Sequence, residues 1–166
     1  MNENYIMLNG KRVDLTDGQL EKLGIKVDKD CFDRCDVKEK YFFIDTFGTV
    51  SYDYNDSPVG TDRTRHKVAN YCTDKSIMQQ RALHEILSRL LWRFSMQNGG
   101  DKIDWSNNNT DKYRIVFIHG EKSFLIEGNC YYQTIESTYF NTREIADRAI
   151  NEIILPFIKE HPEYVW

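Results

Sequence analysis

The first residues, Met1-Asn2-Glu3-Asn4, lack both the basic start and the apolar stretch of a secretory signal peptide. No run reaches the ~18 apolar residues that a membrane-spanning helix needs. The most apolar stretch is interrupted by Arg89 and Arg93. Basic charge is not in excess either: 22 Lys and Arg against 26 Asp and Glu leave a net charge of −4. That argues against a protein that coats DNA non-specifically, because such binding relies on neutralising many phosphates. A hydrophobic content of 40% with 13% aromatic residues excludes wholesale disorder. These 166 residues therefore read as one globular domain, or two very small ones, in the cytoplasm and with no membrane attachment.

Catalytic signatures are missing as well. His84-Glu85 opens an H-E-x-x sequence, but Ser88 stands where a zinc protease needs its second histidine. His84 adjoins an apolar stripe and reads as a helix-flank residue. Gly99-Gly100-Asp101-Lys102 puts a lysine near glycines, yet Ile103 replaces the Ser or Thr of a phosphate loop and no helix follows. No G-x-S-x-G elbow is present. Cys31 and Cys35 have near-zinc spacing, but Cys72 and Cys130 form no second close pair, and His66, His84, His119 and His161 are scattered. Reduced, partly buried thiols are the simpler reading. The expectation is a protein that is not an enzyme, with no metal and no cofactor.

What is present is a pattern of hairpins and capped helices. Residues 1–24 form an opening unit, with Asn9-Gly10 as a type I′ turn between Tyr5-Ile6-Met7-Leu8 and Arg12-Val13-Asp14-Leu15. Thr16-Asp17-Gly18-Gln19 is a capping box for a short helix that Gly24 ends. Residues 25–39 are charged and mixed, a linker. Residues 40–100 and 101–166 look like one ββ(β)α unit written twice. Lys40-Tyr41-Phe42-Phe43 matches Lys112-Tyr113-Arg114-Ile115 at an offset of 72, and Tyr71-Cys72-Thr73 matches Tyr139-Phe140-Asn141 at 68. In the first unit, Lys40–Thr46 and Thr49–Tyr54 pair, a loop runs from Asn55 to His66, and Lys67–Cys72 is a third strand. Thr73 then caps a helix with an apolar stripe at Ile77, Met78, Ala82, Leu83, Ile86, Leu87, Leu90, Leu91 and Phe94. In the second unit Asn141 is the cap, and Pro156 must kink or restart the last helix. The expected class is α+β, antiparallel sheet with helices packed on one face, and the sheets of the two units could merge.

Charge is uneven. Residues 40–100 carry a net of +2 and residues 101–166 a net of −4. Arg63, Arg65, His66 and Lys67, with Arg81, Arg89 and Arg93, could form a surface for RNA, DNA or an acidic protein face. The acidic final third could instead mimic nucleic acid in a basic groove. Solvated helix backs explain either distribution more simply.

The stretches Leu8-Asn9-Gly10-Lys11 with Leu15-Thr16, Tyr71-Cys72-Thr73-Asp74-Lys75 and Tyr139-Phe140-Asn141-Thr142-Arg143 resemble small uncharacterised proteins of phages and prophages of Firmicutes. The alanines Ala146 and Ala149 follow that pattern, whereas Cys72 and Met78 depart from it. The resemblance brings no catalytic residues. It implies a phage accessory protein acting in the host cell, of the kind that inhibits host defence. The expected partner is a host-defence protein, a Cas effector bound stoichiometrically in the manner of an anti-CRISPR. The alternative is a nucleic-acid-binding or regulatory protein using the basic middle segment. Exposed aromatics and arginines in loops are the expected contacts: Tyr52, Tyr54, Arg63, Arg65 and Trp105, the last in a polar stretch where an indole has little local reason to be.

Overall fold

Asn9 and Gly10 take φ of 51° and 77°, the two left-handed conformations that a type I′ turn requires. The computed structural model describes residues 5–24, 29–55 and 60–165, and it pairs β1 (Tyr5–Leu8) antiparallel with β2 (Lys11–Asp14) across that turn. Half of the expected capping box is in place before α1 (Asp17–Lys22): the Thr16 N–H donates to Gln19 Oε1 at 2.8 Å, while the Thr16 hydroxyl donates to the same oxygen instead of accepting from the Gln19 N–H, which bonds the Thr16 carbonyl. Gly24, at φ 72°, closes the unit, and Leu15 and Leu20 are its buried residues.

The second hairpin joins β3 (Lys40–Ile44) and β4 (Val50–Tyr54). Its turn is organised by Asp45, whose carboxylate accepts from the Thr49 and Ser51 hydroxyls and from the Phe47 and Thr49 N–H groups. These bonds, the Thr49 hydroxyl foremost, hold the Asp45 carboxyl at about 2, below the usual carboxylate range. Residues 29–39, the described part of the expected linker, are bonded into this unit. The Cys35 N–H donates to the Tyr71 hydroxyl at 2.9 Å, Asn55 Nδ2 to the Cys35 carbonyl, and Arg34 to Asp62.

The third strand expected over Lys67–Cys72 is replaced. α2 (Thr61–Lys67) occupies part of the expected loop, and only Cys72 pairs, in a two-way backbone bridge with Phe42 at 2.7 and 3.0 Å. Two features account for this. Ala69, at φ 55°, breaks any extended run. The Asn70 side chain then substitutes for a strand, accepting from the Ile44 N–H and donating to the Ile44 carbonyl, both at 2.8 Å.

α3 (Lys75–Gln97) is capped by Asp74 and not by Thr73: Asp74 Oδ1 accepts from the Ser76 N–H at 2.7 Å. The Thr73 hydroxyl is turned instead to the Cys31 carbonyl. After a 3-10 turn at Gly100–Lys102 come β5 (Lys112–Ile118) and β6 (Ser123–Asn129), then α4 (Arg143–Ala149). Its cap is Thr142 rather than Asn141, accepting from the Ile145 N–H at 3.3 Å. Asn141 is directed elsewhere, so close to Gly99 that a Cβ there would lie 2.8 Å from its Nδ2. In this hairpin the bridge joins Tyr113 to Phe140, at 2.9 and 2.8 Å. The hairpin partners Phe42 and Tyr113 lie 71 positions apart, so the match of Tyr41 with Tyr113 is corrected by one residue. A one-residue slip exchanges the faces of a strand. Lys112, 2% exposed, thus stands where Tyr41 stands in the first hairpin.

The last helix restarts at Pro156. α4 passes through a wider π turn, Ile150–Ile154, into α5 (Leu155–Glu160), whose first turn holds Pro156 where its missing N–H goes unneeded.

The fold is α+β, and among the described residues its three hairpins remain separate two-stranded sheets. α3 joins the second and third. Met78 and Ala82 pack with Ile44 and Cys72; Leu83 and Leu87 with Ile154, Phe157 and Tyr164; Phe94 with Ile126, Phe140, Ala146 and Ala149. Ile77, counted in the stripe, is 40% exposed. Among the described residues no helix is long and apolar enough to cross a membrane.

Two outcomes test these local arguments. Thr142→Ala removes the α4 cap and costs about 1 kcal/mol of stability in chemical denaturation, whereas Asn141→Ala does not act through capping. Asp45 has a depressed carboxyl, so its stabilising contribution is complete above the ordinary aspartate range, near pH 4, and is lost as pH falls through about 2. An Asp45→Asn variant lacks that acid-dependent loss, read from the hairpin amide signals in an NMR pH titration.

Candidate interaction surface

The five residues singled out from the sequence fall into different environments. Tyr52 and Tyr54 lie on one face of β4, 57% and 47% exposed, with rings edge to face at 6.1 Å. The Lys40 ammonium sits 3.8 Å from the Tyr52 ring centroid. Arg65 reaches β4 from α2 and is committed internally. It donates to the Tyr41 hydroxyl at 2.7 Å and to Asp53 Oδ2 at 2.8 Å, and its guanidinium lies 3.5 Å from the Phe43 ring. Its hydrogen bond is the main reason the Asp53 carboxyl is lowered, and burial raises the Tyr41 hydroxyl. Arg63, on the same short helix, is exposed. Trp105 is half-buried in the other unit, edge-on to Tyr139 at 4.9 Å, with the Lys112 ammonium 5.7 Å from its ring. The structure thus brings Tyr52 and Tyr54 together and leaves Trp105 apart from them.

Trp105 belongs to a surface that the sequence reading did not single out. It lines an open groove of about 430 Å3 with Trp92, Met96, Ile103 and Tyr139. A second groove of about 340 Å3, on the other side of Trp92, is formed by Ile86, Leu90 and Arg93. Arg89 and Trp92 belong to both. Trp92 is 58% exposed on a helix of 23 residues. The β3–β4 turn borders this face: a Cβ on Gly48 would lie 3.7 Å from Ile86, and the neighbouring Phe47 is 89% exposed. From the loop after β6, Gln133 and Glu136 line the first groove, and Ile135 between them stands out at 88% exposure. The clue to Trp92 was present in Leu90-Leu91-Trp92-Arg93. At helical spacing Trp92 falls outside the buried stripe, and a large aromatic off the stripe has to face outward.

The position of Trp92 has local causes. Leu87 and Phe94 are buried on the opposite side of α3, which fixes the helix rotation. Ser95 anchors its end by donating to the Tyr139 carbonyl at 2.5 Å. Gly100 follows so closely that a Cβ would meet Ser95 Oγ at 2.2 Å.

The four thiols are free, Cys35 and Cys72 buried. Burial pushes the Cys72 thiol up to about 11, and Cys35 Sγ accepts from the Tyr71 hydroxyl at 2.7 Å. His84 Nδ1 is 3.0 Å from the Tyr164 hydroxyl. Among the described residues no group of three or more His, Cys, Asp and Glu side chains is arranged to hold a metal ion. Compared with family models, curated proteins and solved structures, the chain matches none.

The two arginines of α2 are therefore not equivalent. Arg65→Ala leaves Asp53 and Tyr41 without their partner and costs about 1–2 kcal/mol, discounted for partial solvent access. Arg63→Ala leaves the melting temperature unchanged. Equal melting temperatures for the two variants in differential scanning calorimetry would contradict this account.

Proposed function

We propose that this protein works without catalysis, by binding a macromolecular partner and blocking it. In this reading it is a phage accessory protein acting in the host cytoplasm. Its partner is a host-defence protein, a Cas effector held in the manner of an anti-CRISPR. The supporting observation is the Trp92 indole, left open between two grooves on a long, well-anchored helix. Trp and Arg supply most of the energy at protein interfaces, because they bring large area and bidentate bonding to a desolvated contact. Presenting them on a rigid element limits the ordering cost of association. The resemblance to phage accessory proteins supplies the biological setting.

A second reading, a nucleic-acid-binding accessory protein, draws on Arg63 and Lys67, both exposed on α2. A salt series separates the two, since binding that rests on phosphate contacts weakens steeply as salt rises.

The decisive experiment is a titration of Cas effector cleavage. Under this proposal inhibition grows linearly with added protein, is complete near one equivalent and does not depend on preincubation time. Trp92→Glu removes it while the circular dichroism spectrum stays that of the wild type. Time-dependent inhibition far below one equivalent would identify an enzyme and overturn the proposal.

A further inference from the structure

We infer that the segment seated on the Trp92 face is an acidic stretch of a protein chain that carries one bulky apolar side chain. This rests on the binding reading above and specifies the chemistry of what is bound.

The charge on this face is cationic and under-compensated. Arg81 and Arg89 both bond Glu85, at 3.0 and 3.1 Å, so one carboxylate serves two guanidiniums. Arg93 is exposed and stands outside every ion pair of the described residues. The grooves otherwise hold one charged residue, Glu136 at the far rim. A guanidinium without a full partner is matched by a carboxylate, which it grips with two parallel hydrogen bonds. Arg89 and Arg93 are four residues apart on α3, so their positions are separated by about 6 Å along the axis. Two carboxylates at i and i+2 of an extended segment, or at i and i+4 of a helix, have that spacing.

The apolar part of the face specifies the rest. Trp92, Met96, Ile103, Trp105 and Tyr139 line the larger groove, whose volume of about 430 Å3 accommodates a bulky side chain and its backbone. An aromatic or leucine side chain seated between the two indoles would bury area that is otherwise open to water.

Single-stranded nucleic acid fits this face less well. Its aromatic platforms would suit bases, but only Arg89 and Arg93 are available to phosphates and Glu136 repels them.

The test is fluorescence anisotropy with labelled synthetic peptides. One peptide carries two glutamates at i and i+4 of a helical segment with a phenylalanine at i+3 on the same face, one has glutamine in place of the glutamates, and one has lysine. The full-length protein should bind the glutamate peptide and prefer it about tenfold or more over the glutamine one. Trp92→Ala should abolish binding. Arg93→Glu should weaken the glutamate peptide and gain affinity for the lysine peptide, a charge swap that a misfolded variant could not produce. The inference is overturned if glutamine and glutamate peptides bind equally, or if none binds. It is equally overturned if oligothymidylate binds through Trp92 with a steep salt dependence, or if sedimentation shows a dimer that Trp92→Ala dissolves. An effector blocked by the wild type and spared by Trp92→Glu, with no peptide bound, would sink this inference and leave the binding reading standing.

Discussion

Each of the two larger hairpins is tied to the residues just before the helix it packs on, α3 or α4, by a residue pair that exchanges both backbone hydrogen bonds, Phe42 with Cys72 and Tyr113 with Phe140. That pair determines which face of the hairpin meets the helix. It directs Ile44 toward Met78 and Ala82 in one unit and Ile126 toward Phe94 and Ala146 in the other. It also brings Tyr71 and Tyr139 to buried positions where their hydroxyls accept backbone N–H groups, from Cys35 and Thr134. Two-stranded sheets are marginal by themselves. Here they persist because helices cover them: α3 packs on the second hairpin, and α4 together with Phe94 of α3 packs on the third.

Much of this was legible in the residues. Asn9-Gly10, the back-bond from the Thr16 N–H to Gln19 and the stripe on α3 are local signals, each with a short-range cause, and each is realised. The features that escaped depend on longer range. A helical stripe says nothing of Asn70, whose amide replaces a strand by bonding both polar groups of Ile44. The cap at Asp74 displaces Thr73 because the Thr73 hydroxyl is claimed by a carbonyl 42 residues earlier. The register of the two hairpins differs by one residue from the best sequence match, since aromatic residues on either face of a strand look alike in one dimension.

The interaction surface shows the same division. Tyr52 and Tyr54 are exposed side by side, as their alternation along a strand suggests. Arg65 resembles Arg63 in the sequence but is held by Tyr41 and Asp53, residues that only the fold brings near. Trp92 was readable by subtraction, as the one large aromatic that the buried stripe of α3 does not use.

The tail of the chain is clasped back onto the start of α3. Gln80 donates to the Glu163 carbonyl and accepts from the Val165 N–H, and His84 meets Tyr164. The Gln80–Glu163 contact spans 83 positions, whereas the hairpins close across a few residues each. Contacts so distant along the chain become favourable only after the intervening segments are compact. The clasp therefore depends on the packing of α3 against the last helix, where Leu83 and Leu87 meet Ile154, Phe157 and Tyr164, and it holds the final described residues against the first turns of α3.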